Sequence, residues 1–528
     1  MLDINIVSLK FCLFILINII IGVVTSPQPS NQPSNNNNAQ NEEEMENLDV
    51  QALVEDAIDW AQNISLVWLP TYNTRSDVTQ FVAFTLFPSP FPRKLFEQGQ
   101  KLQHAYNLLY FRISHDYDFL AKAYEEVGKT NVPIQRLLNI LNAVKAEGIK
   151  QKISLLLTRS DYMCHVEKNK ENDEQHYELK QVEFNAGQIG GISVSRRIPN
   201  LHRRMMWKAS RKWTQNEMPD SEGDLSFAEA LYEAWHAFGD PNAIILIVAN
   251  KRSKNRLGQR HIEYEIERLK NRKVKAVRIG EVERAALLKD GRLTLDPNDF
   301  SLRMDGTTIS VVYQITDPVE REQTEHEAAA QLLIERSTAI KSPTVGLNLA
   351  SQKKVQQLLA RPGMLEHFLP EPKYKDMIDD LRSTFAGLWD LNDNDEDTLM
   401  AIKDAIANPE DYVLKPNMEG GGHNIWGEKI AEKLRTFTPD ERAAHILMKR
   451  VHPMVIKNFI VRPGKANAYF GRMTSELSIV GWLLGDAARD FHVLKADQRG
   501  HFMRTKMENV NEGGISVGTG AFDSPYLI

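Results

Sequence analysis

VLKPNMEGGGHNIWGEKI, running from Val413 to Ile430, is the stretch whose reading decides the fold. An extended apolar run ends at Lys415, an acid follows at Glu419, and Gly420, Gly421 and Gly422 then stand in a row. Glycine loses more backbone freedom on ordering than any other residue, so a loop with three of them needs its amides very close to something. Phosphate oxygens are such a partner: unhindered N–H groups cradle them, and a lysine supplies a point charge. On these residues alone, a flexible turn beside a solvated lysine is an equally good reading. The GxxxxGK[ST] loop is absent, and no G-x-G-x-x-G lies between a strand and a helix, so neither the P-loop nor the dinucleotide fingerprint applies.

A second stretch, QVEFNAG, alternates like a strand. Residues at i and i+2 share a face, so Glu183 and Asn185 point one way while Val182 and Phe184 point to the core. A carboxylate and an amide oxygen, joined by Glu419, make a hard oxygen site of the kind magnesium takes alongside water and phosphate. A polar outward face is the simpler alternative for the strand by itself. In FMRTK, Arg504 and Lys506 project together toward anions, and the glycines at 513, 514, 518 and 520 after them suit a mobile flap. GISVG (Gly514 to Gly518) matches the G-x-S-x-G of serine hydrolases, but that chemistry needs an acid and a histidine later in the chain. Only ten residues follow, none a histidine. HExxH and CxxC are also missing, which argues against zinc.

At 528 residues, two or three packed units are expected. A formal charge of −6, with 42% hydrophobic and 25% charged residues, suits a globular enzyme and gives no basic excess for nucleic acid. Residues 1–26 have the layout of a secretory signal peptide, with the apolar block Phe11 to Val24 after Lys10. The block is short for a membrane span, so the cleaved chain is expected to be secreted and free of the membrane. Residues 27–48, rich in Pro, Ser, Asn, Gln and acids, read as a disordered linker. Cys12 falls within the signal, which leaves Cys164 alone and rules out an internal disulfide in the mature chain. The body therefore reads as a cytosolic design carrying an export address. The sequon Asn63-Ile64-Ser65 is short enough to arise by chance.

The body has a mixed α/β pattern. IQRLLNILNAVKAEG reads as an amphipathic helix and KISLLLTRS as a buried strand. NAIILIVAN, QRHIEYEIERLKNRK and VKAVRIG make a β-α-β unit, whose helix puts Ile262, Ile266 and Leu269 on one face. AAAQLLIERSTAIK and SQKKVQQLLA read as helices; DYVLKP, AHILMKRV and ELSIVGWLLG read as strands. The expected division is a body over 49–240, a β-α-β insert over 241–343, and the rest of the body with its lid over 344–528.

RSDYM, LKQVEFN, KKVQQLL, RPGMLEHFLP, TFAGLW, VLKPNMEGGGHNIWGE, FMRTK and GGISVG…DSPYLI together resemble eukaryotic glutathione synthetase, in its order and over nearly the whole chain after residue 50. The resemblance implies an α/β ATP-grasp fold with an inserted parallel-sheet substrate-binding domain and a glycine-rich lid. It also implies a homodimer that joins γ-glutamylcysteine to glycine through an acyl phosphate, using ATP and two magnesium ions per subunit. By position, Glu183, Asn185 and Glu419 correspond to magnesium ligands. Lys353, Lys415, Glu419, Gly420, Gly421, Gly422, His423, Asn424, Trp426, Met448, Lys449, Arg450, Val451, Glu476, Lys506 and Glu512 correspond to ATP-binding positions. Arg159, Asn255, Gln259, Arg504, Ile515 and Ser516 correspond to dipeptide-binding positions, with Arg159 and Arg504 nearest the chemistry.

The departures from that family fall on the acceptor side. NAGQIGG is shorter than the family's loop and lacks its serines, Ser253 stands in place of a glutamate, and Ile315-Thr316-Asp317-Pro318 replaces Arg-Asp-Gly-Tyr. Losing one charge-assisted partner in a closed site costs about 2–5 kcal/mol, or roughly 30-fold or more in binding. The pattern implies a related thiol peptide or another amine as acceptor, or else a secreted protein that keeps the ATP-grasp scaffold with little synthetase turnover. With its export signal, the chain resembles the secreted glutathione-synthetase-like effectors of plant-parasitic nematodes. ATP use then implies delivery into a host cell's cytoplasm.

Overall fold

The computed structural model describes residues 49–70, 75, 77–168, 175–187, 189–269, 274–316, 323–393, 395–416, 424–511 and 513–528. The expected signal and linker, residues 1–48, lie outside them. So do Glu419, Gly420, Gly421, Gly422, His423 and Glu512, together with Asp317 and Pro318. Residues Gln51–Ile528 form one compact unit of mixed α/β structure.

Its largest sheet has seven strands in the order Val455–Val461, Phe84–Thr85, Ala521–Asp523, His492–Met507, Tyr469–Asp486, Ile153–Lys168 and Gln175–Ala186. Val455–Val461 also pairs with the first half of Tyr469–Asp486, which closes five of the strands into a ring. ELSIVGWLLG lies wholly inside Tyr469–Asp486, where Leu477, Ile479, Val480 and Trp482 are buried. The helix Arg93–Ile113 covers one face of this sheet with Leu102, Tyr106, Leu109 and Phe111. The Tyr110 ring stacks on Phe184 with centroids 3.8 Å apart, which anchors that residue of QVEFNAG to this helix as expected. Val182 does not follow it into the core: the pairing shifts register there, leaving Val182 half-buried and Gln181 buried in its stead. IQRLLNILNAVKAEG is helical over Val132–Glu147: the Asn131 side chain accepts from Ile134 N–H at its start, and Gly148 ends it at a positive φ.

A second sheet forms from residues within 244–342. Ile244–Ala249 pairs in parallel with Ala276–Ile279 and with Thr307–Ile315, and Ile340–Ser342 lies parallel to Thr307–Ile315. The antiparallel strands Leu293–Leu295 and Leu302–Met304 extend it. The β-α-β reading therefore describes its centre; in its helix, Arg256–Arg268, Ile262 and Ile266 are buried, whereas Leu269 only caps the end. AAAQLLIERSTAIK departs from expectation. The helix spans Glu325–Arg336, begun by a Thr324–Glu327 capping box, and stops before Ser337. Ile340 and Lys341 then join the sheet, because the β-branched residue gains more from packing there than from continuing the helix.

The third sheet is antiparallel, with Leu388–Asp390, His445–Lys449 and Tyr412–Pro416 in that order. Beyond the opening glycine run, Ile425 returns beside Leu414 and exchanges both backbone hydrogen bonds with it. Helices Glu396–Ala407 and Glu428–Thr436 share a small apolar core with this sheet through Ala405, Ile430 and Leu434.

Candidate functional site

Four adjacent strands of the large sheet assemble a charged patch. Arg159 stands opposite Asn185, and Asp161 opposite Glu183. Ser478 faces Asp161 from the next strand, and Arg504 stands opposite Glu476. Alternation sends all of these side chains to one side of the sheet. The Asp161 carboxylate is wholly buried. Arg159 grips it as a fork, with Nε 2.8 Å from Oδ1 and Nη2 2.7 Å from Oδ2. Arg504 Nη2 donates to Asp161 Oδ2 at 2.9 Å and also to Glu476. Ser478 donates to Asp161 Oδ1 at 2.6 Å, and Asn185 Nδ2 donates to Asp161 at 3.0 Å and to Glu183 at 3.3 Å.

Asp161, Glu183 and Glu476 present oxygens that all lie within 4.8 Å of one another. Burial alone would raise the Glu183 carboxyl, but Lys353, Arg504, Arg159 and Lys415 outweigh it and hold the group well below the usual carboxylate range. Glu476 goes the other way. Burial raises it, and repulsion from Asp161 and Glu183 adds to that despite the attraction of Arg504. Three carboxylates thus face four cations, Arg159, Arg504, Lys353 and Lys415. The positive excess suits a polyanion with several phosphates.

The same acids fit a magnesium ion. They are hard oxygen donors at short mutual range, fewer than six in number, as this ion requires when water and phosphate complete its shell. Of the expected ligands, Glu183 and Asn185 are in place and Glu419 lies outside the described residues. In this structure Asn185 turns its NH2 toward the acids; turned over, the same amide presents oxygen to a cation. Asp161 was missed by sequence reasoning, although a signal was there. RSD puts an arginine and an acid at i and i+2 on a strand, matching the alternation of EFN on its neighbour.

The remaining expected nucleotide positions divide. Lys353 opens the helix Lys353–Leu359, and Lys415 is 8% exposed on its strand; both act on Glu183. Glu476, expected only as an ATP contact, joins the acid cluster. Asn424 and Trp426 are half-buried where the chain leaves the glycine run. The Trp426 ring carries Arg450 at 5.5 Å, and its indole N–H is buried without a partner among the described residues. Met448 is buried within the third sheet. Lys449 and Arg450 do not reach the patch. Lys449 lies over the Tyr412 ring at 4.2 Å and 3.5 Å from Asp404, while Arg450 pairs with Glu410 at 3.1 Å. Val451 is half-buried just beyond the strand His445–Lys449. Lys506 lies two residues beyond Arg504 on the same strand, in unbroken register, and donates to the Val510 carbonyl.

On the acceptor side, Asn255 is the residue before the helix Arg256–Arg268, and Gln259 is buried one turn in, accepting from Arg278. Ser253 Oγ accepts from the Asn255 N–H at 3.3 Å, a short local bond in place of a carboxylate. Ile315, 3% exposed, ends its strand. In the shortened loop, Gly191 has a positive φ, and a Cβ there would lie 2.4 Å from the Phe502 ring, so the loop lies tight on the sheet. Ile515 and Ser516 lie in the turn Gly513–Gly520, where Lys254 Nζ holds the Ser516 carbonyl at 3.0 Å.

Residues 47–527 match the family described as eukaryotic glutathione synthase, ATP binding domain. Glutathione synthetase of Xenopus laevis is 34% identical over 456 residues, covering 86% of this chain and 91% of that protein. The Homo sapiens enzyme is 34% identical over 459 residues, covering 86% and 92%. Among solved structures, a glutathione synthetase like-effector (GSS30) from Globodera pallida, in apoform, matches with a TM-score of 0.72 and 33% identity. That match covers 91% of this chain and 98% of the effector.

Proposed function

Since the chain belongs to the eukaryotic glutathione synthetase family, we propose that it is an ATP-dependent ligase joining the carboxylate of γ-glutamylcysteine, or a related thiol peptide, to glycine or another amine. One observation carries this reading: Lys353, Lys415, Arg159 and Arg504 all converge on Glu183, inside a cluster of three acids. Such a site neutralises a triphosphate and holds it in line with an acceptor carboxylate.

The carboxylate oxygen takes the γ-phosphoryl group, and the bond to ADP breaks. The amine nitrogen then adds to the acyl carbon, phosphate leaves, and the nitrogen gives up a proton. No side-chain nucleophile is needed; positioning and electrostatics supply the acceleration. Lys353 and Lys415 hold phosphate oxygens. Arg159 and Arg504, anchored by Asp161, turn their remaining N–H groups to the acceptor's carboxylate. Glu183, Asn185 and Glu476, with Glu419 from the glycine run, are the residues that would hold magnesium, which draws charge off the phosphates when bound.

Ile315 favours a changed acceptor. A buried aliphatic side chain ends the strand Thr307–Ile315, where the family resemblance calls for an arginine, so the site's grip on a second carboxylate is weakened. We further infer that the protein works as a homodimer and is exported by its first 26 residues. It would then act in a host cell's cytoplasm, where ATP is plentiful, as a glutathione-synthetase-like effector. The test is ADP release from ATP and magnesium, with γ-glutamylcysteine and glycine compared against other thiol peptides and amines. The reading expects release with at least one pair and a preference away from γ-glutamylcysteine. Release with none refutes the ligase, and ordinary efficiency with γ-glutamylcysteine refutes the changed acceptor.

A further inference from the structure

Gly513–Gly520 is a folded turn with few contacts of its own. The Gly514 carbonyl accepts from the Thr519 and Gly520 amides at 3.1 and 3.2 Å and from the Thr519 hydroxyl at 3.1 Å. Beyond these internal bonds, two cations grip it from outside. Lys254, the residue before Asn255, holds the Ser516 carbonyl at 3.0 Å. Arg462, at the end of the strand Val455–Val461, holds three consecutive carbonyls: Nη1 reaches Gly518 at 2.6 Å and Gly520 at 3.0 Å, and Nη2 reaches Thr519 at 2.6 Å. Burial pulls this guanidinium below its usual range, since carbonyl dipoles rather than a carboxylate meet its charge. At its first glycine the turn rests on Lys506: a Cβ on Gly513 would lie 2.9 Å from Lys506 Cδ. It therefore stretches from the strand that carries Arg504 to the helix start that carries Asn255, across the two sides of the proposed site.

We propose that Arg462 is the positioning residue that latches Gly513–Gly520 shut, and that this latch keeps water from the activated acyl group. The proposal rests on the ligase reading for its second half only. A planar fork meeting three carbonyls in sequence fixes their orientation in a way that a single ammonium does not. With the latch open, water oxygen adds to the acyl carbon, phosphate leaves, and one proton is released. The acceptor acid is regenerated, and the net reaction is ATP and water to ADP and phosphate.

Two variants open the latch from different sides. Arg462→Lys keeps the charge and loses the fork. Gly520→Ala leaves Arg462 intact but drives a Cβ to 2.2 Å from the Gly513 carbonyl oxygen. Hydrogen–deuterium exchange on the full chain is expected to speed up about tenfold or more in peptides spanning 513–520 for both variants, with other peptides unchanged. In the ADP assay with the best acceptor pair, both are expected to raise the ratio of ADP to ligated product several-fold while the KM for ATP holds. Unchanged exchange in 513–520, or acceleration spread over the whole chain, overturns the latch. Faster local exchange with an unchanged ADP-to-product ratio overturns the guarding role. A wild-type chain that releases no ADP contradicts the ligase reading, and the guarding role with it, while the exchange result decides the latch by itself.

Discussion

The strand His492–Met507 carries two buried acid sites, one on each face, and they behave in opposite ways. On one face Arg504 joins Asp161, Glu183 and Glu476, and the surrounding cations hold Glu183 well below its usual range. On the other, Asp523 accepts from Ser89 at 2.5 Å and from Thr505 at 2.6 Å. Burial raises it to about 6, despite those hydroxyl bonds and the Ser524 N–H. Asp161 and Asp523 are both wholly buried, while Glu183 and Arg504 leave the first site partly open. What differs is whether a full positive charge or hydroxyl and amide dipoles face the carboxylate. The His202 ring lies 4.0 Å from Asp523, kept neutral by burial that pulls it down to about 3. In the first site Glu183 stays ionised, whereas in the second Asp523 ties Ser89 and Thr505 together as a structural joint.

Removing the guanidinium is the harshest way to break this contrast. Arg504→Leu leaves three carboxylates near one another with less compensation, and taking one partner from a buried pair costs about 3–5 kcal/mol. The side chain is 20% exposed, so little of that effect is screened. Urea denaturation at neutral pH should show the loss, together with ligase activity below detection. A variant as stable as wild type would mean that the patch is solvated and its pairing incidental.

Next in size is the pH response of the back face. A carboxyl raised in the fold keeps its proton more tightly there than in the unfolded chain. Its contribution is therefore full below the unfolded value of 3.8 and is lost as pH rises through about 6. Two pKa units correspond to about 2–3 kcal/mol. Stability of the wild type relative to Asp523→Asn should thus fall by about that much between pH 4 and 7, read by urea unfolding at several pH values. A constant difference would contradict the account of Asp523.

The smallest effect sharpens the contrast between the charged patch and the acceptor side. Ile315→Arg should lower the KM for γ-glutamylcysteine by about tenfold and leave the KM for ATP unaltered, since a charge-assisted contact is worth about 1.5–3 kcal/mol. No change in either constant would remove Ile315 from the acceptor site.

The sequence carried the local half of this picture. Alternation in QVEFNAG placed Glu183 and Asn185 on one face with no knowledge of their neighbours, and the β-α-β unit was readable from three short apolar patterns. What it did not carry was register. Asp161 meets Ser478 more than 300 residues away in the chain, and Glu476 meets Arg504 because the two long strands stay in unbroken register from Met473 to Val480. Nothing local to any one of these segments encodes that pairing; it follows from which hydrophobic faces the sheet buries. The Arg462 latch was hidden for a related reason. Its acceptors are backbone carbonyls, which no side-chain pattern announces. In AAAQLLIERSTAIK the helical period ran past the true stop, because a short parallel strand competed for Ile340.

The central claim is that the front face of this strand, with Lys415 from the third sheet, holds a magnesium-bound nucleotide. Calorimetric titration with a non-hydrolysable ATP analogue, with and without magnesium, tests it most directly on wild type, Lys415→Ala and Glu183→Gln. Magnesium-dependent binding by the wild type, weakened about 30-fold or more in Lys415→Ala and stripped of its magnesium dependence in Glu183→Gln, is the predicted result. No binding by the wild type, or equal binding by all three chains, would contradict it.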